Sequence, residues 1–192
     1  AVEVRGGKGL PQVPGLADDL FDHDGQITKR PIRALALSAL APRPGELLCD
    51  LGAGSGSVGI EWLLSHPRNR AIGVERVAAR AARARATIDI APALPSGQFD
   101  LVVADVPCSG SGTWRRTPDA KWRLSPGDLA QLTRTQAGIL ARAATHVRPG
   151  GTLAYMTCSL FAAENAGQID AFLRRNPSFA LKGQRTLTPL DA

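Results

Sequence analysis

Two cysteines stand where apolar runs give way to small polar residues, a placement typical of reactive groups at strand ends. Cys108 lies in Asp-Val-Pro-Cys-Ser-Gly-Ser-Gly, and Cys158 lies fifty positions later in Tyr-Met-Thr-Cys-Ser-Leu. Open α/β sheets bind ligands at the carboxyl ends of their strands, so both thiols are expected at one sheet edge. A thiol exposed in an electropositive pocket is a nucleophile, whereas a buried one is a small hydrophobic residue, which is the role predicted for Cys49.

A cluster of glycines follows the apolar Leu47 and Leu48 and precedes a helical pattern. Glycine allows a ligand to approach the backbone, and a helix start offers free N–H groups. Glu75 ends the next predicted strand, where a carboxylate would bind the hydroxyls of a ribose. NAD and S-adenosylmethionine (SAM) enzymes both use such a carboxylate, and the glycine spacing favours SAM. A tight turn without a ligand is the alternative. The candidate cofactor residues are Asp50, Gly52, Ala53, Gly54, Ser55, Gly56 and Glu75.

A basic and aromatic segment with neither helical nor strand periodicity occupies residues 114–123, which read Trp-Arg-Arg-Thr-Pro-Asp-Ala-Lys-Trp-Arg. The chain has a formal net charge of +6 and a pI near 9.9. Positive groups attract phosphates and aromatic rings stack on bases, which is how single-stranded nucleic acids are held. Solvated arginines on a helix surface are the alternative explanation of the charge. The candidate RNA-binding residues are Trp114, Arg115, Arg116, Lys121 and Arg123.

The composition limits the functional classes. With 192 residues, 44% of them hydrophobic, the chain has material for one well-buried core. It has no run of eighteen apolar residues, and its first twenty positions lack the apolar block of a signal peptide, so a cytoplasmic protein without membrane contact is expected. Three cysteines without a Cys-x-x-Cys pair and three scattered histidines predict neither a disulfide framework nor a metal site.

The elements that must position these groups alternate between helix and strand. After an irregular arm over 1–30, periodicity predicts one domain over 31–192. Ser125 and Asp128 form a capping-box pattern, and Pro149-Gly-Gly predicts a turn. The alternation predicts an α/β fold, a three-layer α/β/α sandwich around a mostly parallel sheet. The helices are predicted over 31–40, 58–65, 77–88, 125–147 and 164–175, and the strands over 46–51, 71–74, 99–104 and 153–156.

The two halves of the chain resemble two enzyme families. Over 21–75, His23-Asp-Gly-Gln-Ile-Thr-Lys and Leu51-Gly-Ala-Gly-Ser-Gly-Ser-Val-Gly resemble the precorrin C-methyltransferases/decarboxylases of the cobalamin pathway. Over 99–190, Asp105-Val-Pro-Cys-Ser-Gly-Ser-Gly and Thr157-Cys-Ser-Leu-Phe-Ala-Ala-Glu-Asn resemble the Sun/Fmu family of rRNA cytosine-5 methyltransferases. Both families use SAM and share the Rossmann-like class I methyltransferase fold. The resemblance implies that fold and cofactor, with a cofactor half over 31–90 and a substrate half over 99–192, and a chimera is its simplest account.

The resemblance also implies roles for single residues. Carbon 5 of cytosine takes a methyl group from SAM only after a thiolate has added to carbon 6. By resemblance, Cys158 is that nucleophile, Cys108 assists release, and Asp105 binds the cytosine edge beside the cofactor. The precorrin family's Thr-Lys step places Thr28, and less firmly Lys29, near the methionine end of SAM, with Gln26 and Asp24 as alternatives. A helix-capping role for Thr28 is equally compatible. Asp89, in a short Ile-Asp-Ile strand, is expected near the adenine.

Compared with both families, the interval 76–98 is short, and the C-terminal end at Ala192 is expected to lack a closing strand pair. Three functions follow as hypotheses. The first is RNA cytosine-5 methylation, the second is methylation of a corrin precursor, and the third is a recombined chain that folds and binds SAM without catalysis. The resemblance decides neither the substrate nor the oligomeric state.

Overall fold

Helices and strands alternate along the chain in the computed structural model, which describes residues 10–85 and 88–186. Three short 3-10 helices, Asp18–Leu20, Ser111–Thr113 and Ala162–Glu164, lie in the connections. The capping box predicted at Ser125 and Asp128 is present and begins the longest of the described helices. The elements are α1 (Arg30–Leu40), β1 (Leu47–Leu51), α2 (Ser57–Ser65), β2 (Arg70–Val74), α3 (Ala78–Ala84), β3 (Asp89–Ala91), β4 (Phe99–Asp105), α4 (Ala120–Arg123), α5 (Pro126–Ala144), β5 (Val147–Met156) and α6 (Ala166–Arg175).

The described strands form one five-stranded sheet in the order β3-β2-β1-β4-β5, and every neighbouring pair is parallel. Successive residues of a strand point to opposite faces, so β1 contributes Leu48 to one core and Cys49 to the other. The first core also contains Leu37 of α1 and Trp62 of α2, and the second contains Ala143 of α5. Helices therefore cover both faces, and the predicted three-layer parallel α/β sandwich is confirmed.

The short interval between β2 and β4 contains a real strand. The helix predicted over 77–88 ends at Ala84, and Asp89–Ala91 pairs with β2 as the edge strand β3. Residues 92–98, which have no regular secondary structure, then connect this edge to the central β4. Leu94 of that connection packs against the core that contains Cys49. A short apolar loop thus lies where a longer crossover would carry a helix.

The prediction of a turn at Pro149-Gly-Gly is wrong, because these residues lie inside β5. Phe99 pairs with Val147, whereas Leu101 pairs with Thr152, so the extra residues of β5 form an irregularity in an otherwise regular ladder. Gly150 has a φ of 75°, which glycine adopts without steric cost. Residues 176–186 have no regular element, and residues 187–192 lie outside the described part of the chain.

The described part of the N-terminal arm has neither an α-helix nor a strand before α1, but it is fixed to the core. Leu16 and Phe21 are buried. Arg33 of α1 is fully buried, donates from Nε to Glu61 of α2 at 2.6 Å, and lies over the Phe21 ring. Glu61 also accepts the backbone N–H groups of Gly15 and Leu16. The arm is therefore attached through a buried ion pair, which periodicity alone does not reveal.

In the described part of the chain, no helix combines the length and apolar character that a bilayer crossing requires.

Candidate active site

The glycine loop between β1 and α2 lies at the carboxyl edge of the sheet. Gly52, Gly54 and Gly56 have φ values of 89°, 57° and 74°, a region that disfavours side chains. A Cβ atom on Gly52 would collide with the backbone oxygen of Asp105. The loop therefore lies directly against the end of β4. Ala53 and Ser55 are buried, so the loop offers its main chain rather than these side chains.

Glu75 lies beside this loop, at the end of β2. Its carboxylate accepts the N–H of Gly54 at 2.9 Å and that of Val77 at 2.6 Å. A carboxylate offers about four acceptor sites, so two hydrogen bonds leave capacity for the hydroxyl groups of a ligand. The glycine loop and Glu75, which only their spacing in the sequence had linked, are thus in direct contact.

Asp50 and Asp105 complete an acidic cluster with Glu75. Asp50 is buried, and its Oδ2 has no hydrogen-bond partner among the described residues. Burial, together with the negative charges of Asp105 and Glu75, raises the pKa of Asp50 to about 7. Asp105 is exposed at the end of β4, yet the protein atoms around its carboxyl and the charge of Glu75 raise its pKa to about 6. This edge of the sheet therefore favours a cationic ligand or a bound proton.

The remaining cofactor candidates before α1 are Asp24, Gln26, Thr28 and Lys29. Asp24 and Gln26 bind Arg80 of α3 at the surface. Helix α1 begins after Lys29 without a side-chain cap, so the capping alternative for Thr28 is not observed. The backbone oxygen of Thr28 instead accepts a hydrogen bond from Arg33.

Asp89 does not reach the carboxyl edge of the sheet. It begins β3 and pairs with Ile72, whereas the strand ends at Ala91. Together with Leu47 and Arg70, which begin β1 and β2, it lines a cleft of about 500 Å³ at the opposite edge. The expected position of Asp89 beside an adenine stays a prediction, and in the fold Asp89 is the first of the three residues of β3.

The two candidate cysteines meet beyond the ends of β4 and β5. We call residues 106–113 the Cys108 loop and residues 157–161 the Cys158 loop. The Sγ atoms of Cys108 and Cys158 lie 3.3 Å apart. Cys158 is exposed and Cys108 is half-buried, and both are free thiols. The predicted convergence of two distant motifs at one sheet edge is therefore what the structure shows.

The thiol pair shares one proton near neutral pH. A hydrogen bond with Cys158 lowers the pKa of Cys108 to about 7, and the same contact raises the pKa of Cys158. The two thiols therefore titrate as a pair, in which the first proton is lost far more readily than the second and the thiolate that forms lies next to the other sulfur. Burial and the charge of Asp50 raise the pKa of Cys49 to about 12, which leaves Cys49 unreactive at neutral pH.

A buried polar network behind the cysteines was not predicted. Glu164 is fully buried and accepts hydrogen bonds from the hydroxyl groups of Ser109 and Ser159. The same carboxylate accepts the Ser109 N–H and the Gln136 amide, each at 2.9 Å. Burial raises the pKa of Glu164, but these donors outweigh it, so the net pKa is lowered and the group stays ionised. The 132-136-140 spacing of Leu, Gln and Leu on α5 is the sequence signal that places Gln136 towards the core.

The basic segment forms an exposed ridge next to the cysteines. Trp114 packs edge-on against Phe161 of the Cys158 loop, with ring centroids 5.8 Å apart, and its indole nitrogen is buried. Trp122 on α4 is 80% exposed, and the Lys121 ammonium lies 4.6 Å from its ring centroid. Arg115, Arg116 and Arg123 are exposed. The structure thus separates the two tryptophans into one ring that packs on Phe161 and one exposed ring that contacts Lys121.

No group of three or more His, Cys, Asp or Glu side chains within 10–85 and 88–186 is arranged to hold a metal ion.

Residues 19–120 match the family described as "Precorrin methyltransferase domain". The chain is 59% identical over 86 residues to precorrin-6Y C(5,15)-methyltransferase [decarboxylating] of a Sinorhizobium species, which covers 43% of this chain and 21% of that protein. It is 38% identical over 186 residues to ribosomal RNA small subunit methyltransferase B of Erwinia tasmaniensis, covering 88% of this chain and 42% of that protein. Both predicted resemblances are confirmed.

A solved structure supports the fold. The C-terminal domain of precorrin-6Y C5,15-methyltransferase from Rhodobacter capsulatus superposes with a TM-score of 0.58 and 28% identity, covering 86% of this chain and 81% of that one. The predicted class I methyltransferase fold is therefore confirmed. The chain spans less than half the length of the two relatives named above. Because the rRNA relative aligns along most of the chain, its likeness is not confined to residues 99–190, and the chimera stays a prediction.

Proposed function

The chain belongs to the precorrin methyltransferase domain family, and we propose that it is a SAM-dependent enzyme that methylates carbon 5 of cytosine in RNA through its paired cysteines. The observation that carries the proposal is the 3.3 Å contact between the Cys108 and Cys158 sulfur atoms. Asp105, at the end of β4, adds a carboxyl with a raised pKa whose charge acts on the Cys158 thiol, and its backbone lies against the glycine loop. Two thiols and an acid at one sheet edge are what this reaction requires.

The acidic edge fits the cofactor. SAM carries a positively charged sulfonium and an ammonium group, and the unpartnered Oδ2 of Asp50 lies in a cluster of three carboxyl groups. The glycine main chain at 52–56 permits close approach, and Glu75 retains acceptor capacity for ribose hydroxyls. When bound, SAM supplies an electrophilic methyl group. Asp50, Gly54 and Glu75 would hold it there.

The cysteines and Asp105 would act on the base. The Cys108 thiolate accepts the proton of Cys158, and the Cys158 sulfur forms a bond to carbon 6 of cytosine. Electrons of the broken carbon 5–carbon 6 π bond are drawn towards nitrogen 3, which Asp105 protonates. The resulting enamine makes carbon 5 nucleophilic, and carbon 5 takes the methyl group. Cys108 first loses to solvent the proton that it took from Cys158, and the restored thiolate then removes the carbon 5 proton. The Cys158 sulfur leaves carbon 6 as a thiolate, the carbon 5–carbon 6 double bond forms again, and Asp105 takes back the nitrogen 3 proton.

The exposed ridge supplies a reason for an RNA substrate. The Trp122 ring is exposed to solvent. On the same segment, the exposed side chains of Arg115, Arg116 and Arg123 carry positive charge. Stacking combined with phosphate contacts holds single-stranded bases without strict sequence preference. Because Trp114 packs on Phe161, this segment is joined to the Cys158 loop, so RNA bound on the ridge would lie beside the thiols.

Methylation of a corrin precursor is the second candidate, and the 59% identity to a precorrin-6Y methyltransferase favours it. The cysteine pair discriminates between the two, because attack by sulfur on a ring carbon is required only for cytosine. The deciding experiment incubates the protein with methyl-labelled SAM and either rRNA or a precorrin. Label in rRNA that Cys158→Ala abolishes supports the proposal. Label in precorrin alone, retained by Cys158→Ala, selects the second candidate.

A further inference from the structure

We propose that Glu164 is a positioning residue whose buried carboxylate holds the Cys108 loop and the Cys158 loop in one arrangement, an inference that rests on the proposed use of both thiols. Neither cysteine touches Glu164 through a side-chain hydrogen bond among those described. Its partners are instead the residues immediately after each cysteine, Ser109 and Ser159. The geometry of the pair is therefore set one residue away from each sulfur.

The contacts converge from three directions on one carboxylate. Oε1 accepts the Ser109 N–H and the side-chain amide of Gln136, and Oε2 accepts both serine hydroxyls. Gln136 also donates to the backbone oxygen of Pro107 at 2.9 Å. Residues on both sides of Cys108 are thus fixed, directly or through one amide, to the group that fixes the residue after Cys158.

A second layer of bonds joins the loops directly. Ser111 lies 3.1 Å from the hydroxyl of Ser159 and accepts the N–H of Leu160 at 2.7 Å. The N–H of Gly112 donates to the backbone oxygen of Cys158 at 2.9 Å, and a Cβ on Gly112 would crowd that oxygen. These bonds bring the loops together, and Ser159, which takes part in them, also donates its hydroxyl to Glu164.

Glu164 acts through charge as well as through distance. Four donors stabilise its ionised form, and buried charge-assisted hydrogen bonds are stronger than neutral ones. Its negative charge also opposes ionisation of Cys108. Removing the charge while keeping the shape should therefore change how readily Cys108 ionises, whereas removing the side chain should change where the sulfur atoms lie.

Disulfide formation measures this geometry without SAM or RNA. Oxidised glutathione joins the Cys108 and Cys158 sulfurs while it is reduced to two glutathione thiols, and the protein loses two hydrogens, a change of about 2 Da. Because the sulfurs lie close together, the bond should form rapidly in the native protein. We expect Glu164→Ala to slow it by about tenfold or more, and Glu164→Gln to retain a rate near that of the native protein.

Asn69→Ala is the matched control, because Asn69 is a buried polar residue that bonds Gly45 and Trp62, far from the loops. Equal slowing by Asn69→Ala and Glu164→Ala would mean that lost stability alone explains the effect, and would overturn the proposal. In a Cys158→Ser background, Glu164→Gln should shift the alkylation profile of Cys108 to lower pH. No shift would contradict the part of the proposal that rests on charge.

The outcomes separate this inference from the proposed function. If Glu164→Ala slows disulfide formation while the native protein methylates no RNA, the positioning role stands and the RNA reaction fails. If the native protein methylates RNA and Glu164→Ala forms the disulfide at the native rate, the reaction stands and the positioning role fails. In an active protein, Glu164→Ala should lower kcat for RNA while leaving the affinity for S-adenosylhomocysteine unchanged.

Discussion

The Sγ atoms of Cys108 and Cys158 lie 3.3 Å apart, although 50 positions separate the two residues in the chain. Parallel pairing of β4 with β5 explains the meeting, because Asp105 and Met156 are register partners and each cysteine follows its strand within three residues. Two thiols at this distance cannot both ionise freely, so the second thiolate forms with difficulty. The pair is therefore suited to a reaction in which one sulfur takes the proton of the other.

Replacing either cysteine should give a different defect. Cys158→Ala should abolish methyl transfer to cytosine, because no other described group is placed to add to carbon 6. The contact with Cys108 is the largest cause that raises the pKa of Cys158, so Cys108→Ala should let Cys158 ionise without that base and form the covalent adduct. The variant should slow release of the adduct, so that a denaturation-resistant protein–RNA species accumulates. Gel electrophoresis under denaturing conditions with labelled RNA measures the adduct. Cys49→Ala is the control, since Cys49 is buried in the core. Equal activity in the Cys108 and Cys158 variants would exclude cysteine catalysis.

Cofactor binding should depend on Glu75. S-adenosylhomocysteine should raise the melting temperature of the protein, because a ligand that binds only the folded state stabilises it. Glu75→Ala should weaken that shift, since it removes a charge-assisted hydrogen bond worth about 1.5–3 kcal/mol. Thermal unfolding with and without the ligand measures both effects, and Asp170→Ala on the exposed face of α6 serves as the control. Stabilisation by NAD with no response to S-adenosylhomocysteine would reject the SAM site.

The sequence predicted the sheet edge better than it predicted what supports that edge. Strand ends at Asp50, Glu75 and Asp105 follow from apolar runs that stop at polar residues, a local signal that the structure reproduces. The role of Glu164 depends instead on contacts with Ser109 and Gln136, which are far away in sequence. The bulge at 149–151 was mistaken for a turn, because Pro-Gly-Gly has the same local preferences in both. The place of Asp89 at the start of β3 could not be read from the sequence, because a three-residue strand carries no period.

Single-stranded RNA should bind the exposed ridge with two separable contributions. Each phosphate contact adds about 0.7 to the slope of log K against log salt, so Arg115→Ala/Arg116→Ala should lower that slope by up to ~1.4. Trp122→Ala should weaken binding by about 1–3 kcal/mol through lost stacking and leave the slope unchanged. Fluorescence anisotropy across a salt series measures both. The control is Arg134→Ala/Arg142→Ala on α5, where both arginines are exposed. An unchanged slope in Arg115→Ala/Arg116→Ala would show that these arginines do not contact RNA phosphates and that the ridge has only a structural role.

The buried pair of Arg33 and Glu61 should dominate the stability of the arm. Arg33→Met removes the partner of the buried Glu61 carboxylate, and breaking a buried ion pair in this way costs about 3–5 kcal/mol. Urea denaturation measures the loss. Arg134→Met is the matched control, because an exposed arginine should change the free energy of unfolding by less than about 0.5 kcal/mol. Arg33→Met/Glu61→Leu should lose less than the sum of the two single variants. A loss in Arg33→Met no larger than in the control would show that the arm does not depend on this pair.

The stability of the ligand-free protein should fall with rising pH through Asp50. Its pKa is about 7 in the folded protein against an ordinary value of 3.8, so the folded state holds a proton between those values that the unfolded chain releases. The stabilisation is complete below pH ~4 and is lost as pH rises through ~7. Asp105, with a pKa of about 6, contributes in the same direction over a narrower window. Asp50→Asn, which resembles the protonated carboxyl, should remove the Asp50 contribution.

Urea denaturation at pH 5 and pH 8 tests this dependence. Relative to Asp50→Asn, the native protein should lose about 1–3 kcal/mol of unfolding free energy between the two pH values. Comparison with the variant cancels the carboxyl groups whose pKa is lowered, such as Asp18 and Glu164, because they titrate equally in both proteins. Asp170→Asn should follow the pH dependence of the native protein. Parallel pH profiles for the native protein and Asp50→Asn would mean that Asp50 is ionised in the folded state. The unpartnered Oδ2 of Asp50 would then not be the atom that binds a proton in the acidic cluster.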